Sequence, residues 1–184
     1  MKIRTMIGAA LALGLSLAVP TQGVLAGGGE VWTVAAAPNG AFSVETPCDA
    51  NEVAGMAYIP EDSLPGVSLD KEKRVICFKD KMMFMGAVMA PGNPPRGTTV
   101  FDMLVESLAG TESKGKPMQT TIGGRRAMVN RAVEDGVVAQ TGFVELNPRE
   151  IIFLFGGGEN DRLSVAAQGA AIDRFFASTK VTAQ

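Results

Sequence analysis

The most constraining feature of the chain is a run of four strand-like segments separated by two-residue turn signals. The segments are 117–122, 125–133, 137–146 and 149–155, and the turn signals are Gly123-Gly124, Asp135-Gly136 and Asn147-Pro148. Glycine adopts the positive φ angles that tight hairpins need, and each segment has the length of an ordinary strand. The run therefore predicts a four-stranded antiparallel meander, and its wholly apolar residues 151–155 are expected inside the sheet.

Further strand and helix patterns flank this meander. The predicted strands before it are 42–47, 74–79, 81–90 and a weaker one over 53–59, with a proline-rich surface loop over 60–73. Thr99 and Asp102 form the capping-box pattern of a helix that ends at Gly110. Asp161 predicts the start of a second helix that runs to about Ser178.

This order of elements predicts an α+β fold, in which an antiparallel β-sheet carries two main helices packed on it. Residues 41–184 predict a single globular domain, because no internal repeat divides them. Residues 27–40 contain three glycines, an alanine run and Pro38-Asn39-Gly40. They predict a flexible arm, with ordered structure beginning near Ala41.

The first 26 residues have the three parts of an export signal. Lys2 and Arg4 form a basic start, an apolar run follows, and a segment with small residues ends at Ala26. The apolar run is shorter than the roughly 20 residues that a membrane-spanning helix needs. The sequence therefore predicts a cleaved signal peptide over 1–26, a periplasmic or secreted location, and no membrane span in the mature form.

The chain contains only two cysteines, Cys48 and Cys77. Disulfides persist in exported proteins, so the pair most simply predicts one disulfide. A redox-active pair of free thiols is the alternative, although that chemistry usually uses the closer CxxC spacing.

Charge and histidine content exclude several classes of function. Removal of Lys2 and Arg4 from the 17 basic residues leaves 15 against 19 acidic residues, a net charge of -4. This balance gives no electrostatic basis for binding nucleic acid. The sequence has no histidine, which removes Ser-His-Asp and Cys-His catalysis and histidine-ligated metal sites.

A set of short motifs resembles those of a known group. The motifs are Phe42-Ser43-Val44 followed by Pro47, a hairpin with Gly123-Gly124-Arg125 and Phe143, and the closing Ile172-Asp173-Arg174-Phe175-Phe176-Ala177-Ser178. With the mid-chain helix, they resemble the PsbP-like group of exported bacterial proteins. The resemblance implies an α/β/α sandwich and an accessory or assembly role without known catalysis. Cys48 stands where that group usually has glycine, and no binding residue carries over by motif.

Two features suggest chemistry but have simpler structural explanations. Gly156-Gly157-Gly158 lies between a predicted strand and helix, where phosphate loops occur, but no Lys-Ser/Thr follows and Glu159 and Asp161 would repel phosphate. We interpret it as a turn. Met83, Met85 and Met89 share one strand face and could bind Cu(I), although methionine is also a common core residue.

The remaining polar candidates are ambiguous in the same way. Glu134 with Asp135, and Glu159 with Asp161, fit turns better than a carboxylate dyad. A second ambiguity concerns the arginines of the hairpin, which form either a small basic patch or a solvated hairpin face: Arg125, Arg126 and Arg131. Trp32 in the arm is either an anchor for a partner or an unstructured residue.

The sequence favours a non-catalytic periplasmic or secreted accessory or binding protein, with a protein partner or a small ligand. Cys48 and Cys77 are the only site residues it assigns, and it predicts no catalytic, cofactor-binding or metal-ligating residue. Two alternatives stay open: an enzyme that uses Ser/Lys or carboxylate chemistry, and a soft-metal carrier that binds Cu(I) through methionine.

Overall fold

The computed structural model describes residues 31–55, 73–109, 115–160 and 162–182. The predicted signal peptide over 1–26, most of the predicted loop over 60–73, Gly110 and Asp161 lie outside these ranges.

The described residues form nine strands and three helices. The strands are β1 (Thr33–Ala36), β2 (Phe42–Thr46), β3 (Arg74–Lys79), β4 (Met82–Met89), β5 (Met118–Ile122), β6 (Arg125–Glu134), β7 (Val137–Asn147), β8 (Glu150–Gly158) and β9 (Lys180–Val181). The helices are α1 (Ala50–Gly55), α2 (Val100–Ala109) and α3 (Val165–Ala177). All strand pairings are antiparallel, and the chain has the predicted α+β composition.

The strands form two sheets, whereas the sequence predicted one. The large sheet has the order β3-β4-β8-β7-β6-β5, and the small sheet has the order β1-β2-β9. The first predicted strand, 42–47, joins the small sheet because β9 returns after α3 and pairs with it, Phe42 opposite Val181. The first residues of the predicted weak strand over 53–59 belong to α1 instead.

The prediction of a flexible arm over residues 27–40 is wrong for residues 33–36. These residues form β1 and pair along their length with β2, from Thr33 opposite Thr46 to Ala36 opposite Ser43. An alanine run has low β-propensity, but the backbone hydrogen bonds and the burial of Ala35 favour the extended form here. Ordered structure therefore begins before Ala41.

The predicted meander is confirmed, with a longer last strand. The turns at Gly123-Gly124 and Asp135-Gly136 have the positive φ angles that the sequence indicated. Gly156-Gly157-Gly158, interpreted as a turn, is the end of β8 and pairs with residues 82–84 of β4. The interpretation failed because β4 extends far enough to provide backbone partners for these glycines.

The two main helices begin at polar caps. The Thr99 hydroxyl accepts from the Asp102 backbone N–H at 3.1 Å, and the Asp102 carboxylate accepts from the Thr99 backbone N–H at 3.1 Å, which confirms the capping box of α2. Helix α3 starts after Ser164, whose hydroxyl accepts from the Ala167 backbone N–H at 3.2 Å. The start predicted at Asp161 lies outside the described residues, and the cap is Ser164.

Helices α2 and α3 lie on opposite faces of the large sheet. Phe175 and Ile172 of α3 belong to the main core cluster, which also includes residues of the small sheet. On the other face, α2 places Phe101 against Met128 and Ile151. The large sheet is therefore covered on both sides, and its central strands β8 and β7 lie between the two helices.

Glycines in the large sheet allow this close packing. A Cβ on Gly86 would lie 2.6 Å from Cε2 of Phe42, and one on Gly142 would lie 2.6 Å from Cε1 of Phe176. A Cβ on Gly156 would lie 3.2 Å from Ile172. The small sheet and α3 can approach the large sheet only because these three positions have no side chain.

Cys48 and Cys77 form the predicted disulfide, with a Cα–Cα distance of 5.7 Å. Both cysteines are fully buried. The bond joins the segment after β2 to β3, and so connects the chain of the small sheet to the edge of the large one.

We expect Gly86→Ala to lower the free energy of unfolding by about 1–3 kcal/mol, because the new methyl group overlaps the buried Phe42 ring. Urea denaturation measures the difference. Gly92→Ala is the matched control, since nothing lies within 4 Å of a Cβ at that position. Equal stability of the two variants would contradict the packing argument.

We expect the double variant Cys48→Ala/Cys77→Ala to lose roughly 3–4 kcal/mol of unfolding free energy, because a loop of this length becomes open in the unfolded chain. The original protein unfolded in the presence of a reductant should show the same loss. If the double variant and the reduced protein each lost less than about 1 kcal/mol of unfolding free energy, the disulfide would not stabilise the protein by restricting the unfolded chain.

Candidate functional site

The candidate functional site is a trough between the C-terminal part of α3 and the face of β5–β7 that α3 leaves open. It has a volume of about 690 Å³, and we call it the α3 groove. Its size lies within the range of sites that hold small molecules or peptide side chains.

The α3 groove has an apolar floor. Ile122 and Phe176 are buried, and Val129 packs against the main core cluster. Met118 at the outer margin is 61% exposed. This gradient from buried to exposed apolar side chains suits an occupant that is itself partly apolar.

A fixed polar network forms the inner end of the groove. Nε of Arg131 donates to the side-chain oxygen of the buried Gln140 at 2.6 Å. The same guanidinium forms an ion pair with Asp173 of α3. Because β6, β7 and α3 each supply one partner, the network holds the helix in place beside the groove.

Strand β5 forms the outer wall of the groove and the edge of the large sheet. Residues 118–121 are exposed, and only Ile122 is buried. Charged residues and proline usually protect an edge strand from pairing with another chain. The sequence of β5 contains neither. No strand among the described residues pairs with its outer side, so the backbone groups there can accept an added strand.

The three arginines of the predicted basic patch do not lie together. Arg126 is one residue from Arg125 along β6 and therefore lies on the opposite face of the sheet, toward α2. Arg131 is engaged with Gln140 and Asp173. The alternative of a solvated hairpin face describes the structure better than a basic patch.

Arg126 links two elements through two carboxylates. Its Nε and Nη2 donate to Glu145 at 2.8 Å each, and its Nη1 donates to Asp102 at 3.0 Å. These bonds raise the pKa of Arg126, and the guanidinium lowers the pKa of Glu145. The main cause of the lowered pKa of Asp102 is the hydrogen bond from the Thr99 hydroxyl, and the Arg126 guanidinium lowers this pKa further.

Other shifted groups follow the same rule. The Lys79 ammonium, 2.7 Å from Glu52, lowers the pKa of that carboxyl, and Glu52 raises the pKa of Lys79. The Asn147 amide, followed by Lys73, lowers the pKa of Glu150. Every one of these shifts favours the charged form, whereas a general acid or a nucleophilic amine at neutral pH needs the opposite direction.

The methionines of the Cu(I) hypothesis share a strand face, as the alternation predicts. Met85 is buried, Met83 is half-buried, and Met89 packs against the cluster beneath α2. Two of the three thioethers therefore have packing roles. Among residues 31–55, 73–109, 115–160 and 162–182, histidine, cysteine and carboxylate side chains form no group of three that could hold a metal ion.

The other candidates have structural positions. Asp135 occupies the β6–β7 turn with φ of 50°, as predicted for a turn acid. Trp32 is half-buried beside the core, with its ring 5.7 Å from that of Phe84. The interpretation of Trp32 as unstructured is therefore wrong.

Comparison with known proteins gives no assignment. No protein-family model matches the chain, and no curated protein matches it significantly. In the part of the chain that the structure describes, no helix combines the length and the apolar character needed to cross a bilayer.

We expect Arg126→Gln to destabilise the protein near neutral pH and to have less effect in acid. The folded-state pKa values of Glu145 and Asp102 are lowered. These two carboxylates therefore stabilise the folded state fully at a pH above their ordinary pKa values of about 4.5 and 3.8, and the stabilisation is lost as the pH falls through the lowered values. Urea midpoints at pH 7 and about pH 2.5 measure this. Arg149→Gln, on the exposed β7–β8 turn, is the control. If Arg126→Gln lowered the urea midpoint by the same amount at both pH values, the result would contradict the expectation.

Proposed function

We propose that the protein is a non-catalytic periplasmic or secreted accessory protein that binds an extended segment of a partner protein along β5. In this proposal the segment adds a seventh strand to the large sheet, and its alternate side chains enter the α3 groove. The observation that carries the proposal is the exposed, uncharged edge of β5 beside an apolar trough. Strand addition of this kind combines main-chain hydrogen bonds with side-chain pockets.

The groove defines the chemistry of the partner segment. Its floor of Ile122, Val129 and Phe176 favours apolar side chains at every second position. Lys116 stands at the start of β5, and Arg125 lies opposite Ile122 at its end. These two cations favour a segment with acidic residues beyond its apolar core.

The second edge of the large sheet is less suited to this role. Residues 74–77 of β3 are all buried, and β3 is joined to the segment after β2 through the disulfide of Cys77. An added strand would have to displace covering structure there. The proposal therefore assigns partner binding to β5 and a structural role to β3.

We also propose that the fold is an α/β/α sandwich of the PsbP-like kind. A six-stranded antiparallel sheet lies between α2 on one face and α3 on the other. This arrangement of layers supports the fold that the sequence resemblance implies. The disulfide supports an exported location, because such bonds persist in oxidising compartments.

The test uses a displayed library of random 12-residue peptides selected on the immobilised protein without its first 26 residues. We expect enriched peptides to alternate apolar side chains, to lack proline and to contain acidic residues. Their affinity should fall on the order of tenfold or more for Met118→Glu/Thr120→Glu, because the added negative charges lie on the groove side of β5 and repel an acidic segment. Fluorescence anisotropy of labelled peptides measures the affinities.

Val34→Glu provides the matched control. Val34 is 70% exposed on β1, an edge strand of the small sheet, so the substitution adds a glutamate to an edge outside the groove. We expect this variant to bind the selected peptides as the original protein does. Failure to enrich peptides, or equal binding by both glutamate variants, would contradict the proposal.

A further inference from the structure

A second cavity lies where three separate segments meet, away from the α3 groove. It has a volume of about 310 Å³, and we call it the Trp32 cavity. One wall is Trp32 and Pro47, which precedes the disulfide cysteine Cys48. The other walls are the β3–β4 turn and the loop between β8 and α3.

The interior of the Trp32 cavity is apolar. Met82 and Phe84 of β4 line it and are 2% and 1% exposed, and Ala171 of α3 adds a small side chain. Leu163 at the margin is 38% exposed. A ligand that enters this space must therefore have an apolar part.

Trp32 supplies an unused hydrogen-bond donor. The guanidinium of Arg174 lies 4.6 Å from the centroid of the indole ring, and the Phe84 ring contacts it edge-on. These contacts fix the ring, but its Nε1–H is buried without a hydrogen-bond partner among the described residues. A buried unpaired donor costs about 1–3 kcal/mol, and an acceptor atom on a ligand would remove this cost.

Among the described residues that line the cavity and its adjoining opening, the charges leave one excess positive charge. Lys79 is compensated by Glu52 at 2.7 Å. Asp80, Lys81 and Arg162 surround the adjoining opening. In the described part of the chain, Arg162 has no ion-pair partner, and its backbone N–H is already bonded to the Asn160 side chain at 2.9 Å. The charge therefore suits a monoanion.

From these observations we propose that the Trp32 cavity binds a small amphipathic carboxylate. Its apolar part lies against Met82 and Phe84, and its carboxylate lies toward Arg162 and the indole N–H of Trp32. This site is separate from the partner segment proposed for β5, so neither proposal depends on the other.

Octanoate is the probe, and 1-octanol is its uncharged counterpart. Trp32 is the only tryptophan in the chain, so its fluorescence reports directly on the cavity. We expect octanoate to give a saturable change below about 10 mM, and octanol to bind on the order of tenfold more weakly.

Two variants separate this site from non-specific binding. Arg162→Gln should weaken octanoate on the order of tenfold and leave octanol unchanged, because only the charged headgroup loses a partner. Trp32→Phe keeps an aromatic ring but removes the N–H donor, and calorimetry should show weaker binding of both probes, because the hydroxyl oxygen of octanol also accepts a hydrogen bond. Arg149→Gln, on the β7–β8 turn, should bind both probes as the original protein does.

Three results would overturn the proposal. They are the absence of a saturable change up to about 10 mM octanoate, equal affinity for octanoate and octanol, and equal affinity of Arg162→Gln and Arg149→Gln for octanoate. Circular dichroism of each variant establishes that it is folded before binding is measured.

Discussion

The packing of aromatic and branched side chains onto bare glycine positions determines how the layers of this protein fit together. Phe42 of the small sheet rests over Gly86, and Phe176 and Ile172 of α3 rest over Gly142 and Gly156. The closest of these contacts leave no space for a methyl group. This close packing fixes the position of α3 against the large sheet. The α3 groove and the Trp32 cavity both use α3 as a wall, so both depend on this packing.

A buried amide completes the attachment of α3. Gln168 is 2% exposed, and its side-chain oxygen accepts from the Val138 backbone N–H at 3.1 Å. Its Nε2 donates to backbone oxygens of the β6–β7 turn and of the loop before α3, at Gly136, Asn160 and Leu163. One side chain thus satisfies several backbone groups that the hairpin turn and the loop would otherwise bury unpaired. The loop that carries Arg162 to the Trp32 cavity is held by this amide.

Sequence patterns predicted the local elements well because the signals were local. The turns at Gly123-Gly124 and Asp135-Gly136 depend on positive φ, and the start of α2 depends on a capping box, so residues within one turn contain the information. The assignment of strands to sheets depends on distant partners. Residues 33–36 became a strand through pairing with β2, and the glycines at 156–158 became the end of β8 through pairing with β4.

The candidate site was predictable only in part, for the same reason. The disulfide followed from the cysteine count, and two-residue alternation alone separates Arg126 from Arg125 and Arg131. The α3 groove combines residues 118–140 with residues 173–177, and nothing in either segment indicates that α3 lies beside β5–β7. Trp32 was assigned to an arm because its only local signals were glycine and alanine. Its contacts with Phe84 and Arg174 come from segments 52 and 142 residues further along the chain.

In the described part of the chain, the carboxyl groups with shifted pKa values join elements of the fold. Each shifted carboxyl is held in its charged form by a neighbouring donor, as Glu145 is by Arg126 and Glu52 is by Lys79. Groups held this way join elements, here β6 to β7 and α1 to β3, and they have little tendency to exchange protons near pH 7. The proposed binding roles rest instead on the edge of β5 and on the guanidinium of Arg162, which has no ion-pair partner among the described residues.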